Sequence, residues 1–276
     1  ADLLIPPLHP LPLTAIRMTL ASALLLPIWL LLEGAEALRA APWGRGIRIG
    51  GIGFGLGAFL LILAQAQTDA VTVAVTTATM PVVGIALEVL FDGRRLKTAL
   101  VLGVMLSLAG GMLAYGARLG GFGATGTGVG ALAALGSVLA FTWGSRATVK
   151  AFPDLTPLGR TTITLAGAAL MTLLAAFAQN AMGGAAPDWA AIGAREIGAL
   201  AIYALGSLAL SQILWILSVG QLGIGLASLH INAAPFYVML FLFALGGIWN
   251  WTQALGAAIV GLGVLIAQGL IFPTRH

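Results

Sequence analysis

The sequence predicts an all-α polytopic membrane protein made of two inverted repeats, and three observations lead there. Of 276 residues, 59% are hydrophobic and only 8% are charged, with a mean hydropathy of +1.03. A soluble domain carries roughly 25% charged residues, so this chain lacks the side chains to cover a water-facing surface. The apolar residues are also spread from end to end in runs of about 20, the length that crosses a bilayer as a helix. Finally, a set of short motifs recurs in the same order in both halves. Without cysteine, disulfides, thiolate metal sites and cysteine nucleophiles are excluded. His9, His230 and His276 are far apart, so no metal or other cofactor is expected. The basic balance does not imply nucleic acid, because the 13 Lys and Arg are scattered. In a membrane protein such basicity reflects cytoplasmic loops.

Nine runs are long and apolar enough to span: Leu13–Leu32, Ile47–Gln67, Ala70–Phe91, Thr98–Ala117, Thr127–Thr148, Leu158–Gln179, Ile197–Val219, Ile224–Leu245 and Thr252–Ile271. Neither the alternation nor the ~10-residue segments of a β-barrel are present. The breaks carry turn residues, as in Asp92-Gly93-Arg94-Arg95, Gly183-Gly184 and Gly246-Gly247. If the loop after the first run is cytoplasmic, ten of the 13 Lys and Arg fall on that side, leaving Arg17, Arg118 and Arg195 opposite. That asymmetry places the C-terminus in the cytoplasm.

The duplication rests on spacing. Gln67 stands fourteen residues before Pro81, and Gln221 fourteen before Pro235. Gly103 and Gly110 repeat as Gly256 and Gly263, and Pro10 with Arg17 repeats as Pro153 with Arg160. The second copy, residues 127–276, holds five runs, and an odd number of crossings forces the copies into opposite orientations. The first copy, residues 1–117, shows four, so a preceding helix is expected before Ala1, for ten spans in one transporter domain.

With the repeat laid out, the chain resembles the drug/metabolite transporter superfamily and its EamA-type ten-helix exporters. The features that carry this are Trp143-Gly144-Ser145, the two Pro-x6-Arg openings, the mid-helix Pro81 and Pro235, and the Gly-x6-Gly pairs. Where the family often has a Glu thirteen residues after the proline, Arg94 and Ile248 stand here. Bacterial amino-acid exporters of the YddG kind are the nearest resemblance. It implies export, in a bacterial inner membrane, through a central cavity lined by helices three, four, eight and nine.

Polar side chains within a span are costly, so each is either a functional candidate or interhelical glue. His230 and Asn232 precede Pro235, and the equivalent stretch before Pro81 holds Thr76 and Thr79. On the functional reading both stretches face a midplane cavity, where carbonyls freed by the prolines bind a polar solute. On the plainer reading His230 bonds a neighbouring helix and the threonines bond their own backbone. Gln65, Gln212, Trp215, Trp143 and Tyr237 are further candidates, an amide beside an indole suiting a solute with one polar and one apolar end. Pro81 and Pro235 are the expected helix breaks. Glu88 lies close to Asp92, Arg94 and Arg95 and is expected to pair there, and Asp69 to cap the Ala70 helix. Gly121–Gly126 fits G-x-G-x-x-G, but with no strand before it the motif is a loop.

These residues point to a secondary transporter exporting amino acids or related small metabolites by alternating access. Its expected partners are a small-molecule substrate and the lipid bilayer, with no nucleic acid and no ATPase subunit. A proton-coupled multidrug exporter is the alternative, and needs a carboxylate deep in the cavity. An intramembrane enzyme is a third class, and would need a clustered Ser/His, Asp/Asp or metal site; a channel or scaffold is also open from sequence, but inverted repeats favour a carrier.

Overall fold

The computed structural model describes residue 4 and residues 8–68, 70–116, 128–184 and 187–271. All regular structure among them is helical. Each expected span becomes one apolar rod: α1 (Pro10–Ala40), α2 (Trp43–Gln67), α3 (Ala70–Ala78 continued by Met80–Asp92), α4 (Thr98–Gly116), α5 (Gly128–Ala151), α6 (Pro157–Ala181), α7 (Ala194–Leu222), α8 (Ile224–Ala244) and α9 (Trp251–Ala267). Seven are long and apolar enough to cross a membrane, while α4 and α9 are shorter. The protein is a multi-pass membrane protein. In lipid only a closed set of backbone hydrogen bonds is affordable, and helices supply it within each segment.

The rods end where local chemistry dictates. Gly34 (φ 85, ψ 168) interrupts α1 two residues beyond the expected end at Leu32, and the chain turns helical again to Ala40. Gly93, at φ 65, closes α3 in the left-handed conformation that glycine adopts without strain. Thr156 caps α6 by accepting from the Gly159 amide at 3.1 Å. Asn250, the first residue of the Asn-Trp-Thr sequence, caps α9 by accepting from Gln253. Asp69 and the Gly121–Gly126 loop lie outside the described residues.

Helices from both repeats mix in two compact units. One holds residues 1–62 and 143–220, the other residues 63–142 and 221–276. In the first, α6 packs along α1 and across the start of α2, and α1 also meets α7. Trp29, Ile49, Phe152 and Ile163 form its core, with the Trp29 and Trp43 rings 6.1 Å apart. Backbones approach closely there: a methyl group on Gly50 would overlap the Thr164 carbonyl, and one on Gly167 would overlap Ile47. Arg17 and Arg160 are tied down within the protein. Arg17 lies 3.3 Å over the Tyr203 ring, while Arg160 donates to the carbonyls of Phe152 and Pro153 at 2.7 and 2.8 Å.

In the second unit the defining contact is α4 on α9. A Cβ on Gly110 would sit 2.6 Å from the Gly256 carbonyl oxygen, and one on Gly256 equally near that of Gly110. Gly263 meets Gly103 in the same way. Gly103 thus pairs with Gly263 and Gly110 with Gly256, so the helices run antiparallel. Exchanging each glycine for its repeat equivalent returns the same two pairs, which is local twofold symmetry. Ile85, Leu100, Val104, Leu229, Val260 and Val264 fill the core beside this seam.

Candidate functional site

The two repeats break their helices at matching places. In α2, Gly51–Leu56 winds as a π-helix, and in α7 Ile202–Leu210 does so, 154 residues apart at their last members. Such turns leave carbonyls without their usual partners and often mark functional positions. The second pair of breaks precedes the prolines. Thr79 (φ −76, ψ −6) ends the first half of α3, and Ala233 (φ −86, ψ −4) ends the short 3-10 turn His230–Ala233 in α8. Pro81 and Pro235 then sit in the first turn of the resuming helices, where a missing N–H costs nothing.

The candidate side chains separate according to what surrounds them. In the second unit, His230 is exposed and lines a groove of ≈ 500 Å³ between α8 and α9, with Phe236, Tyr237 and the small residues Ala254, Ala257 and Ala258. Tyr237 is 51% exposed in the same groove. Asn232 turns away from it: 1% exposed, it donates through Nδ2 to Ser107 Oγ of α4 at 3.1 Å, and Ser107 donates in turn to the Leu229 carbonyl. Its Oδ1 is buried without a partner. Thr76 donates to the Thr72 carbonyl at 2.8 Å and Thr79 to the Thr76 carbonyl at 2.6 Å, so only their lone pairs are left to meet a solute. Gln65 is exposed on α2.

In the first unit, Trp215 of α7 donates its indole N–H to Ser145 Oγ of α5 at 2.9 Å. Gln212, one turn earlier, is 7% exposed, and its Nε2 has no partner. A buried amide left unsatisfied costs about 1–3 kcal/mol, so this donor gains by meeting an acceptor. Trp143 lies elsewhere in that unit, beside the basic ends of α2 and α5. Structure therefore places His230 and Tyr237 along one groove, and keeps Gln212 and Trp215 one turn apart on α7. It seats Asn232, Thr76 and Thr79 in intramolecular bonds.

Sequence reasoning overlooked Ser145 and Ser107. Ser145 stood in view as the third residue of Trp143-Gly144-Ser145, but nothing in the spacing named its partner. The π-helical turns had only the glycines at 51, 53, 55 and 57 as a signal in α2, and none as clear in α7. There the glycines allow close approach, Gly51 and Gly55 against α6 and Gly53 against Gly144 of α5.

Glu88 behaves as expected. It is 6% exposed and forms an ion pair with Arg94. Beyond that expectation, it accepts from the Gly225 amide at 3.1 Å, tying the start of α8 to the end of α3. Among the described residues no group of three His, Asp or Glu side chains is arranged to hold a metal ion.

Residues 1–116 match the EamA-like transporter family. A solved crystal structure superposes with a TM-score of 0.78, at 22% identity, covering 95% of this chain and 88% of its own. At that identity the likeness establishes the shared fold. No curated protein sequence matches the chain.

Proposed function

We propose that the protein is a secondary carrier of the EamA type that exports amino acids or related small metabolites by alternating access. The observation that carries this reading is the matched pair of helix interruptions before Pro81 and Pro235. Irregular backbone at membrane depth is tolerated where it is buried in protein or lines a cavity, and repeat-related broken helices are where secondary transporters build their substrate sites. The family match over residues 1–116 agrees with a transporter. Both repeats are read as inverted copies, since the antiparallel α4–α9 seam maps onto itself when they are exchanged. The bacterial inner membrane and a cytoplasmic C-terminus follow from the family resemblance and the basic-residue asymmetry.

In this reading His230 and Tyr237 meet the polar end of the solute along an alanine-walled groove, and its apolar body lies on the small side chains. Gln212 offers an unsatisfied amide donor, with Trp215 held beside it by Ser145. Trp143, Gln65, Asn232, Thr76 and Thr79 complete the candidate set, the last three chiefly by shaping the helix breaks. A substrate of amino-acid size suits a hollow of this order, since small-molecule sites span about 300–1,000 Å³.

Counterflow of radiolabelled amino acids into proteoliposomes tests the reading. His230→Ala and Trp215→Ala are expected to reduce flux about tenfold or more while the protein stays monodisperse. Wild-type flux in both variants would remove the site assignment. A proton-driven multidrug carrier is the competing reading. It requires a titrating carboxylate in the path, and Glu88 is engaged with Arg94 and the Gly225 amide. Substrate-induced acidification of the liposome lumen, lost in Glu88→Gln, would favour that alternative.

A further inference from the structure

α3 and α8 are repeat equivalents, 154 residues apart from Pro81 to Pro235, and both lie in the second unit. They are held together at one end only. The resuming half of α3, Met80–Asp92, packs on the first turns of α8, Ile224–Leu229. Glycines bring the backbones close there: a Cβ on Gly84 would lie 3.1 Å from the Ile224 carbonyl oxygen, and one on Gly225 2.6 Å from Ile85. Ile85 and Leu229 are buried in the same core. Glu88 then crosses the junction, accepting from the Gly225 amide at 3.1 Å and pairing with Arg94.

The opposite end has the same backbone plan and none of these ties. Shifting by 154 residues carries Gly84 to Val238, Glu88 to Leu242 and Arg94 to Ile248. Those three are 58%, 56% and 93% exposed, whereas Glu88 is 6% exposed. Among the described residues, the first half of α3 (Ala70–Ala78) and the far half of α8 (Ala234–Ala244) show no comparable packing on each other. Each packs instead on the helix that follows it, α4 or α9. Two helices that are copies of each other are thus closed at one end and parted at the other. Exchanging the two ends gives a second arrangement of the same plan, which is what inverted repeats supply to a carrier.

We propose that Glu88, Arg94 and the Gly225 amide form a latch closing the cytoplasmic end of the cleft between α3 and α8, and that the structure is the outward-open member of the transport cycle. The proposal rests on the alternating-access reading above. In the inward-open member Val238 and Leu242 pack against the start of α3, and the Glu88 end parts. The two closures differ in chemistry. Parting the polar one leaves two charges to be hydrated, which a water-filled cleft supplies and a dry gap does not. Parting the other wets only apolar side chains.

The chain contains no cysteine, so single-cysteine variants report water access without background. Ser228→Cys, fully buried one turn past Gly225, reads the latched end, and Val238→Cys reads the open one. In proteoliposomes with a hydrophilic maleimide on both sides of the membrane, Val238→Cys is expected to label and Ser228→Cys to be protected. With Glu88→Gln and Arg94→Gln added, Ser228→Cys labelling is expected to rise about tenfold while Val238→Cys labelling falls, as when one buried pair stops biasing a two-state equilibrium. Glu36→Gln, at an exposed carboxylate of α1, is expected to change neither. Leu242→Glu with Ile248→Arg leaves the latch intact and builds its mirror at the other end, so it reads the same cleft even if the unlatched variant fails to fold; it is expected to lower Val238→Cys labelling. Labelling needs no solute and so stands apart from counterflow: lost counterflow with the expected labelling would count against the choice of substrate alone. An unlabelled Val238→Cys, equal Ser228→Cys labelling with and without the pair, or the same rise in Glu36→Gln would each overturn the latch.

Discussion

Removing the Glu88 carboxylate isolates the junction between α3 and α8. Glu88 has a side chain 8% exposed, an ion pair to Arg94, and an accepted bond from the Gly225 amide. Deleting one partner of a buried pair costs about 3–5 kcal/mol. Arg94 is 24% exposed and keeps some water, so the low end applies, about 3 kcal/mol for Glu88→Ala. Glu88→Gln leaves an oxygen for the Gly225 amide and loses only the charge, so about half that cost is expected. At roughly 2–4 °C per kcal/mol for a chain of this size, Glu88→Ala lowers Tm by about 9 °C and Glu88→Gln by about 4 °C. Fluorescence-detected gel filtration after heating reads both. The decisive measurement is the cycle with Arg94→Ala. Groups in contact couple by about 0.5–3 kcal/mol, so the double variant Glu88→Ala/Arg94→Ala is expected to melt near Glu88→Ala alone. Simple addition of the two single losses would refute the junction.

Other expectations follow from single contacts. Gly110→Val places a branched side chain against the Gly256 carbonyl, 2.6 Å from a Cβ, and is expected to cost about 3 kcal/mol by overpacking, seen as loss of monodisperse protein, whereas Gly198→Val, with open space around it, is expected to be tolerated. Trp215→Phe removes the donor to Ser145 and is expected to lower stability by about 1 kcal/mol, with Ser145→Ala giving the same loss and no further loss in the double variant. Asn232→Ala removes the amide from Ser107, a bond worth about 0.6–2 kcal/mol between membrane helices, and the thermal shift should match that range. Pro81→Ala and Pro235→Ala restore an N–H to each resuming helix; both are expected to leave thermal stability within about 1 kcal/mol while slowing counterflow.

Composition and span length alone decided that this chain lives in a bilayer as apolar helices, because a nearly chargeless 276-residue chain has no other way to satisfy its backbone. Spacing also made the duplication legible. Glycines and prolines act through the backbone, so Gly103, Gly110, Gly256 and Gly263 kept their positions in the sequence, and the α4–α9 seam gave them their purpose. Partner choice was another matter. Whether Asn232 faces solute or Ser107, and whether Arg17 reaches water or the Tyr203 ring, depends on which helices lie side by side. Spacing along one helix does not encode the neighbour across from it. Tertiary packing also gathered Arg45 and Arg48 with Arg146 and Lys150, a hundred residues away, around one hollow. In the linear chain those charges read only as loop-facing basic residues, since a field built by two helices exists nowhere until the helices meet.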